Sequence, residues 1–367
     1  MTKERTLVLI ARAPMRISFS GGGTDLPPYY RKYGGMVVST TINHYAYTIL
    51  TPGESASLQV VSADYHTFYR RSPCDDLMWD GDLALPRAVL NYFEVRNGIN
   101  IFLASQIPPG TGLGSSGSVA VALIKALAFW YGLDLSPYEV AEMACFIEIE
   151  KMGMPVGKQD QYAAAFGGLN SIVFEKDGAV RVEPLNLPPS IMEAFQKRIM
   201  LFFTGPSRKS SAILRCQQRA SEMGEKLVIE RLHTIKELAV SMKKTLEKGD
   251  LDGFGELLHL AWLNKRSLTE NITNTFIDKC YEAARQAGAA GGKITGAGGG
   301  GFLMLYCPLE HQADVTNALE SLGLRRLNFA FDHEGVQVMW VANDPTPSSR
   351  WNALLSRTAF QKQEILV

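Results

Sequence analysis

The segment Pro108-Pro109-Gly110-Thr111-Gly112-Leu113-Gly114-Ser115-Ser116-Gly117-Ser118 sets glycines among small polar residues just before an apolar stretch of helical spacing. Glycine lets a backbone take positive φ and approach a ligand closely. A helix that follows turns its unpaired N–H groups and its dipole on the same spot, which makes an anion site. Phosphate binding by the backbone from Pro109 to Gly117 is the chemistry this arrangement suits. Ser115 and Ser116, at the helix entrance, have three uses open to them: capping the helix, bonding a phosphate, or binding Mg²⁺ through a hydroxyl. A Walker A loop does not fit, because Gly292-Lys293 is followed by Ile294 and Ala287 stands where the first glycine belongs. Gly112 to Gly117 matches GxGxxG literally. The acidic residue about 20 positions on, Asp134, falls in a helix-to-helix turn, which weakens a dinucleotide site.

Two more glycine clusters flank this one. In Ala13 to Leu26, Arg16 precedes Gly21-Gly22-Gly23-Thr24-Asp25. A carboxylate beyond a glycine loop can accept hydrogen bonds from sugar hydroxyls, and an arginine on the preceding strand can hold an anion or a neighbouring carboxylate. Taken alone, the segment reads as a turn stabilised by its aspartate. In Gly291 to Gly301, four consecutive glycines from Gly298 onward cost conformational entropy that a plain loop need not lose, so close approach to a ligand or to another loop is expected. Glu148 and Glu150, two residues apart on a helix, face different ways, so one of them can serve an interior site. Asp160 lies near a helix N-terminus, where electrostatic stabilisation alone would account for it. His44 and His66, single histidines in strand-like segments, are given structural roles.

The elements that must position these residues are mixed. Strands are predicted at Arg16–Ser20, Met36–Leu50, Leu58–Ala63 and Ile99–Ser105, and helices over 84–96, 115–131 and 137–152. Ser136 is the expected N-cap of the last of these, with Gly153 and Pro155 as its stop signals. Beyond a strand at Ile199–Phe203 the chain is predicted helical from about 208 to 288. It closes with a strand at Phe302–Cys307, a helix near 309–321 and strands near 325–331 and 335–341. Strands and helices without strict βαβ alternation predict an α+β fold. A length of 367 residues exceeds the usual single core, and the boundary falls near 185. The expected domains are 1–185 and 186–345, with a tail over 346–367. Lys plus Arg and Asp plus Glu are both 37, so the chain offers no electrostatic footprint for nucleic acid or an anionic membrane. The five cysteines are scattered without a CxxC, which supports neither a disulfide framework nor a zinc site. No apolar run approaches the ~20 residues that span a bilayer, and the five-residue run before Arg12 is too short for a signal peptide. A cytoplasmic protein is expected.

Together the three glycine clusters, in this order and with the Glu148…Asp160 pair between them, resemble the GHMP small-molecule kinases from about residue 12 to 306. The resemblance implies a two-domain α+β kinase fold, its N-terminal domain like ribosomal protein S5 domain 2 and its C-terminal domain a ferredoxin-like α/β sandwich. It implies ATP and Mg²⁺, with Ser116 and Glu148 as metal ligands and Asp160 beside the attacking hydroxyl. It also places Arg16 as the partner of Asp160 and Asp25 among the sugar-binding residues, with Gly22, Gly23, Thr24 and Gly298 on the substrate side. Gly22-Gly23 stands where galactokinases carry Glu-His, leaving a roomier, less negative pocket suited to a larger or phosphorylated sugar. The strings from Arg12 to Tyr30 and from Gly157 to Gly168 look most like D-glycero-D-manno-heptose 7-phosphate 1-kinases, which make the 1,7-bisphosphate on the route to nucleotide-activated heptose. Lys158 is a candidate to stabilise the transferring phosphoryl group. Arg208 and Lys209 with Ser207 are candidates for a substrate phosphate, ahead of Arg31 and Lys32. Gly117 replaces an alanine common in the superfamily, at a cost to the helix of about 1 kcal/mol. The partners implied are a small sugar or sugar phosphate, and a homodimer is compatible with this reading. Kinases of free sugars such as L-fucose or galactose, and a catalytically silent sugar sensor on the same fold, are the alternatives.

Overall fold

The computed structural model describes residues 7–53, 57–64, 67–71, 83–207 and 210–342. His66, Cys74, Arg208, Lys209 and the tail 346–367 lie outside them. The first half runs β1 (Leu7–Ser20), α1 (Pro27–Tyr33), β2 (Gly35–Pro52), β3 (Leu58–Ser62), β4 (Thr67–Arg71), α2 (Ala84–Tyr92) and β5 (Ile99–Ser105). It continues with α3 (Ser115–Trp130), α4 (Pro137–Cys145), a π-helical turn (Phe146–Lys151), α5 (Gln159–Phe166), β6 (Leu169–Phe174) and β7 (Val180–Pro184). The second half runs α6 (Pro189–Arg198), β8 (Ile199–Phe203), α7 (Ser210–Met223), α8 (Lys226–Glu247), α9 (Leu251–Lys265) and α10 (Thr275–Gln286). β9 (Gly291–Ile294), β10 (Phe302–Tyr306), a 3-10 turn (Leu309–His311), α11 (Gln312–Ser321), β11 (Arg325–Leu327), β12 (Phe331–Asp332) and β13 (Gln337–Ala342) complete it.

β2 is rich in β-branched and aromatic residues and long enough to serve two neighbours on one edge. Residues 35–40 pair with β6 and residues 46–52 with β5, while β1 runs antiparallel along the other side. Pro14 cannot donate to the ladder, and the register of β1 against β2 shifts between Pro14 and Met15. Beyond that irregularity Met15, Ile17 and Phe19 join the core shared with the second half, and Arg16 lies between them. The sequence of α3 is apolar all round, and the helix is accordingly the buried centre of its layer, with α2, α4 and α5 packed about it. Ser136 and Glu139 form a reciprocal capping box at the start of α4, with Pro137 in the first turn.

The second half builds a four-stranded antiparallel sheet, β11-β8-β10-β9, against α8, α9, α10 and α11. The chain is thus α+β as expected, but the sheets do not divide at 185. β12 pairs with β2 and β13 with β1, so residues 331–342 belong to the first sheet and not to a C-terminal domain ending at 345. A strand at that edge covers backbone N–H and C=O groups of Leu7–Arg12 that would otherwise be unpaired. Among the described residues no helix is long and apolar enough to cross a membrane.

Candidate active site

A cavity of about 480 Å³ opens where the two halves meet. One wall is the glycine loop between β5 and α3. Gly110, Gly112 and Gly114 all have φ near +80°, which turns the loop tightly into the helix, with Gly114 at its N-cap. The third glycine cluster braces this loop from behind. A Cβ on Gly296 would stand 2.4 Å from the Cα of Gly112, a distance only two glycines allow. The cluster therefore approaches another loop, and Gly296 and Ala297 also reach the cavity wall. Pro109, Ser115 and Ser116 line the cavity with the loop glycines. Thr111 donates to the Pro108 carbonyl, and Leu113 is core.

Three acidic side chains sit around the loop. Asp160, in the first turn of α5, receives Arg16 on one oxygen: Nε donates to Oδ1 at 2.8 Å and Nη2 lies 2.6 Å from the same atom. The other guanidinium nitrogen donates to the Gly112 carbonyl at 2.6 Å. The buried Arg16 thereby ties the carboxylate to the phosphate loop. Glu148 is 1% exposed. Its Oε1 accepts from the Ser116 hydroxyl at 2.5 Å and its Oε2 from the Gln161 amide at 2.6 Å. Burial pushes its carboxyl up to about 7, opposed by those two hydrogen bonds and assisted by the Asp160 charge. Glu148 sits in the π-helical turn that prolongs α4, a rare geometry often found at functional sites. Glu150 points outward to Arg31. Asp25 accepts from the backbone N–H groups of Gly23 and Gln159, and burial raises its pKa.

The structure thus brings Arg16, Gly22, Gly23, Asp25, Ser116 and Asp160 to one cavity, with Glu148 bonded behind Ser116. It does not bring all the expected residues there. The Lys158 ammonium is held by both Glu142 oxygens and the Gly178 carbonyl, so it is already neutralised away from the cavity. Thr24 is fully buried and bonds Gly21 and Met36, closing the turn and not facing a ligand. Gly298 packs on Ile272 and its carbonyl accepts from Ser207. Gly117 faces Asp160 and not the cavity: a Cβ there would lie 2.9 Å from the Asp160 Cβ.

Other cavity residues carry no local signal in the sequence. Lys265, the last residue of α9, donates to the carbonyls of Ile294 and Gly296, and burial lowers its pKa strongly. The nearby Lys293, donating to the Phe19 carbonyl, is lowered to about 7 by the same cause. Gln217 and Gln159 reach Gly22 and Gly23, and Ala84, Leu85, Pro86 and Leu103 contribute apolar residues to the lining.

Comparison with known proteins gives one family. The GHMP kinases N-terminal domain model matches residues 84–168 and the GHMP kinases C-terminal model matches 242–323. The chain is 31% identical over 331 residues to the D-glycero-alpha-D-manno-heptose 7-phosphate kinase of Campylobacter jejuni, covering 89% of this chain and 97% of that one. A crystal structure of a D-glycero-D-manno-heptose 1-phosphate kinase from Bacteriodes thetaiotaomicron superposes with a TM-score of 0.75 at 30% identity, over 91% of this chain and 99% of that one. The bifunctional fucokinase/GDP-fucose pyrophosphorylase of Arabidopsis thaliana is 25% identical over 84% of this chain and 30% of its own length.

Proposed function

The chain belongs to the GHMP kinase family, and from that premise we propose that it transfers the γ-phosphoryl group of ATP to the anomeric hydroxyl of a sugar phosphate. D-glycero-D-manno-heptose 7-phosphate, giving the 1,7-bisphosphate, is the substrate this reading favours. The observation that carries it is the Arg16–Asp160 pair at the mouth of the glycine loop. Both guanidinium contacts fall on Oδ1, which leaves Oδ2 free toward Gly114 to orient the sugar hydroxyl and accept its proton. The loop amides and the N-terminus of α3 receive the phosphates. The apolar lining from Leu85, Pro86 and Leu103 suits the base, and Asp25 suits a ring hydroxyl. Phosphoryl transfer asks mainly for such positioning and for charge neutralisation. Ser116 and Glu148 place two oxygens side by side at the phosphate end, a donor set that fits Mg²⁺ completed by waters and phosphate oxygens. Mg²⁺ bound there would neutralise charge shared by the β- and γ-phosphates.

The preference for a heptose 7-phosphate rests on the relatives' names and on two features of the chain. Gly22 leaves room at the sugar end, since a Cβ there would meet nothing nearer than the Gln159 amide at 3.7 Å. Ser210 and Ser211 line the cavity, and Arg208 and Lys209 directly precede them in the sequence, which supports those two cations as partners of the second phosphate. The fucokinase match supports a second reading, a free sugar such as L-fucose as acceptor. ADP release with ATP and Mg²⁺ over D-glycero-D-manno-heptose 7-phosphate, the free heptose, mannose, galactose and L-fucose decides between them. Turnover with the 7-phosphate alone is expected. Turnover with a free sugar instead transfers the assignment to the second reading. ATP binding without turnover on any of them overturns both and leaves a silent sensor.

A further inference from the structure

α7 presents Ser210, Ser211, Leu214 and Gln217 to the cavity, the spacing of one helical face. Three of these are small or apolar. Gln217 is different: it is 5% exposed, yet its amide Nε2 donates to no group among the described residues. A buried amide normally finds a partner, because leaving a donor dry forfeits its bond to water. Its surroundings are unusual as well. A Cβ on Gly23 would lie 2.0 Å from Gln217 Nε2 and 3.2 Å from its Cδ, so the amide fills the space that a side chain at 23 would take. Gly23 is itself the residue whose N–H bonds Asp25 Oδ1. On the adjoining side the buried Oε1 of Gln159 is likewise without a donor.

We propose that Gln217 is a specificity-determining residue of the acceptor site, its amide donating to a ring hydroxyl of the sugar away from the anomeric carbon. Asp25, which lines the same cavity, is an acceptor available to the sugar's hydroxyls. This inference rests on the acceptor being a sugar, as argued above. It gives Gly23 a purpose: the space its missing side chain leaves is taken by a polar group from the second half of the chain, a neutral amide. A neutral donor rejects a deoxy analogue without drawing in cations, and a site built around a substrate hydroxyl discriminates strongly against its absence.

The test compares the intact protein with Gln217→Leu and Gln217→Glu, using the sugar found to be turned over in the acceptor panel and its monodeoxy analogues. With Gln217→Leu, the KM for the sugar should rise by roughly tenfold or more, as expected for one lost hydrogen bond and a mismatched site. The fall in kcat should be smaller, and the KM for ATP should hold within about threefold. One deoxy analogue should be poor for the intact protein and no worse than the parent sugar for Gln217→Leu. Thermal unfolding separates this from a structural role. Because its Nε2 bonds nothing among the described residues, Gln217→Leu should not lower Tm, whereas removing a structural glutamine would. An unchanged sugar KM, or unchanged discrimination among the deoxy sugars, overturns the inference. If Gln217→Leu does not fold, that too counts against it, and Gln217→Glu, which keeps the size but loses the donor, provides the kinetic comparison. Absence of turnover by the intact protein on every sugar is a separate failure, that of the kinase reading, and the inference falls with it.

Discussion

With Glu148 in the proposed metal site, stability and function pull against each other in a single side chain. Burial holds its carboxyl at about 7, above the ordinary 4.5, so between those values the folded protein keeps a proton that the unfolded chain has lost. The stability contributed by this group is fully present below about 4.5 and is lost as pH rises through about 7, an effect on the order of 3 kcal/mol. Glu148→Gln should therefore raise the Tm of the ligand-free protein more at pH 8 than at pH 5. It should also cut Mg²⁺-dependent turnover by about 100-fold or more, as loss of a charged ligand does. In the unmodified protein, activity at low Mg²⁺ should climb with pH through about 7, and raising Mg²⁺ should move that midpoint down, since a metal competes with the proton. A midpoint indifferent to Mg²⁺ removes Glu148 from the metal site. For Asp160→Asn, ADP release should fall by roughly 100-fold, the scale of a lost general base, while nucleotide titration shows ATP affinity little altered. Unchanged turnover would mean that Oδ2 neither orients nor deprotonates the acceptor.

At the scale of elements, the question is how α3 and α5 come close enough to put Asp160 at the loop. Gly117 answers it. Glycine in a helix interior costs about 1 kcal/mol relative to alanine, and from the sequence alone it looks like a tolerated defect. In the fold, its missing Cβ is what lets the backbone of Asp160 and Gln161 lie against α3, with would-be contacts of 2.9 to 3.2 Å. Gly117→Ala should thus gain helix propensity but push α5 outward, disturbing the Arg16–Asp160 and Gln161–Glu148 bonds. A kcat loss of about tenfold or more with Tm changed by only a few degrees is expected, measured by steady-state kinetics and thermal unfolding. This example also shows what a sequence can reveal. The glycine loop, the Ser136 N-cap and the rule that one of Glu148 and Glu150 turns inward are legible because each is fixed by neighbours within a few residues. The partners Gln161 and Glu148 are 13 residues apart and Gln217 lies 194 residues from Gly23, with no periodicity to announce either meeting. Lys158 misleads for the same reason: it stands two residues from Asp160, but Glu142 on α4 claims its ammonium.

For the whole molecule, the feature hidden from the sequence is the return of the chain to its starting sheet. An apolar strand near 335–341 is predictable, but which edge it joins depends on where an unpaired edge remains after everything else has packed. That edge is the first stretch of β1, and β13 takes it through six antiparallel pairs from Leu7↔Ala342 to Arg12↔Gln337, reinforced by the Arg12 guanidinium on the Gln337 amide oxygen. β12 adds Asp332 at the centre of a cluster in which it accepts from Tyr45 and its carbonyl accepts from Thr41. The later part of β1 carries Arg16, so the strand that positions the Arg16–Asp160 pair is clamped by residues 337–342. Cross-strand pairs contribute a few tenths to about 1 kcal/mol each, and a domain has only about 5–15 kcal/mol in hand, so losing this ladder consumes much of the margin. A chain ended after residue 330 should then show no cooperative unfolding transition and should associate through the bared edge of β1, while a chain ended after Ala342 melts in one transition and binds nucleotide. Circular dichroism melts and size-exclusion chromatography of the two truncations read this directly. If the shorter chain stays monomeric and melts cooperatively with undiminished nucleotide affinity, the two halves are separable after all, and the clamp on β1 does not hold Arg16 in place.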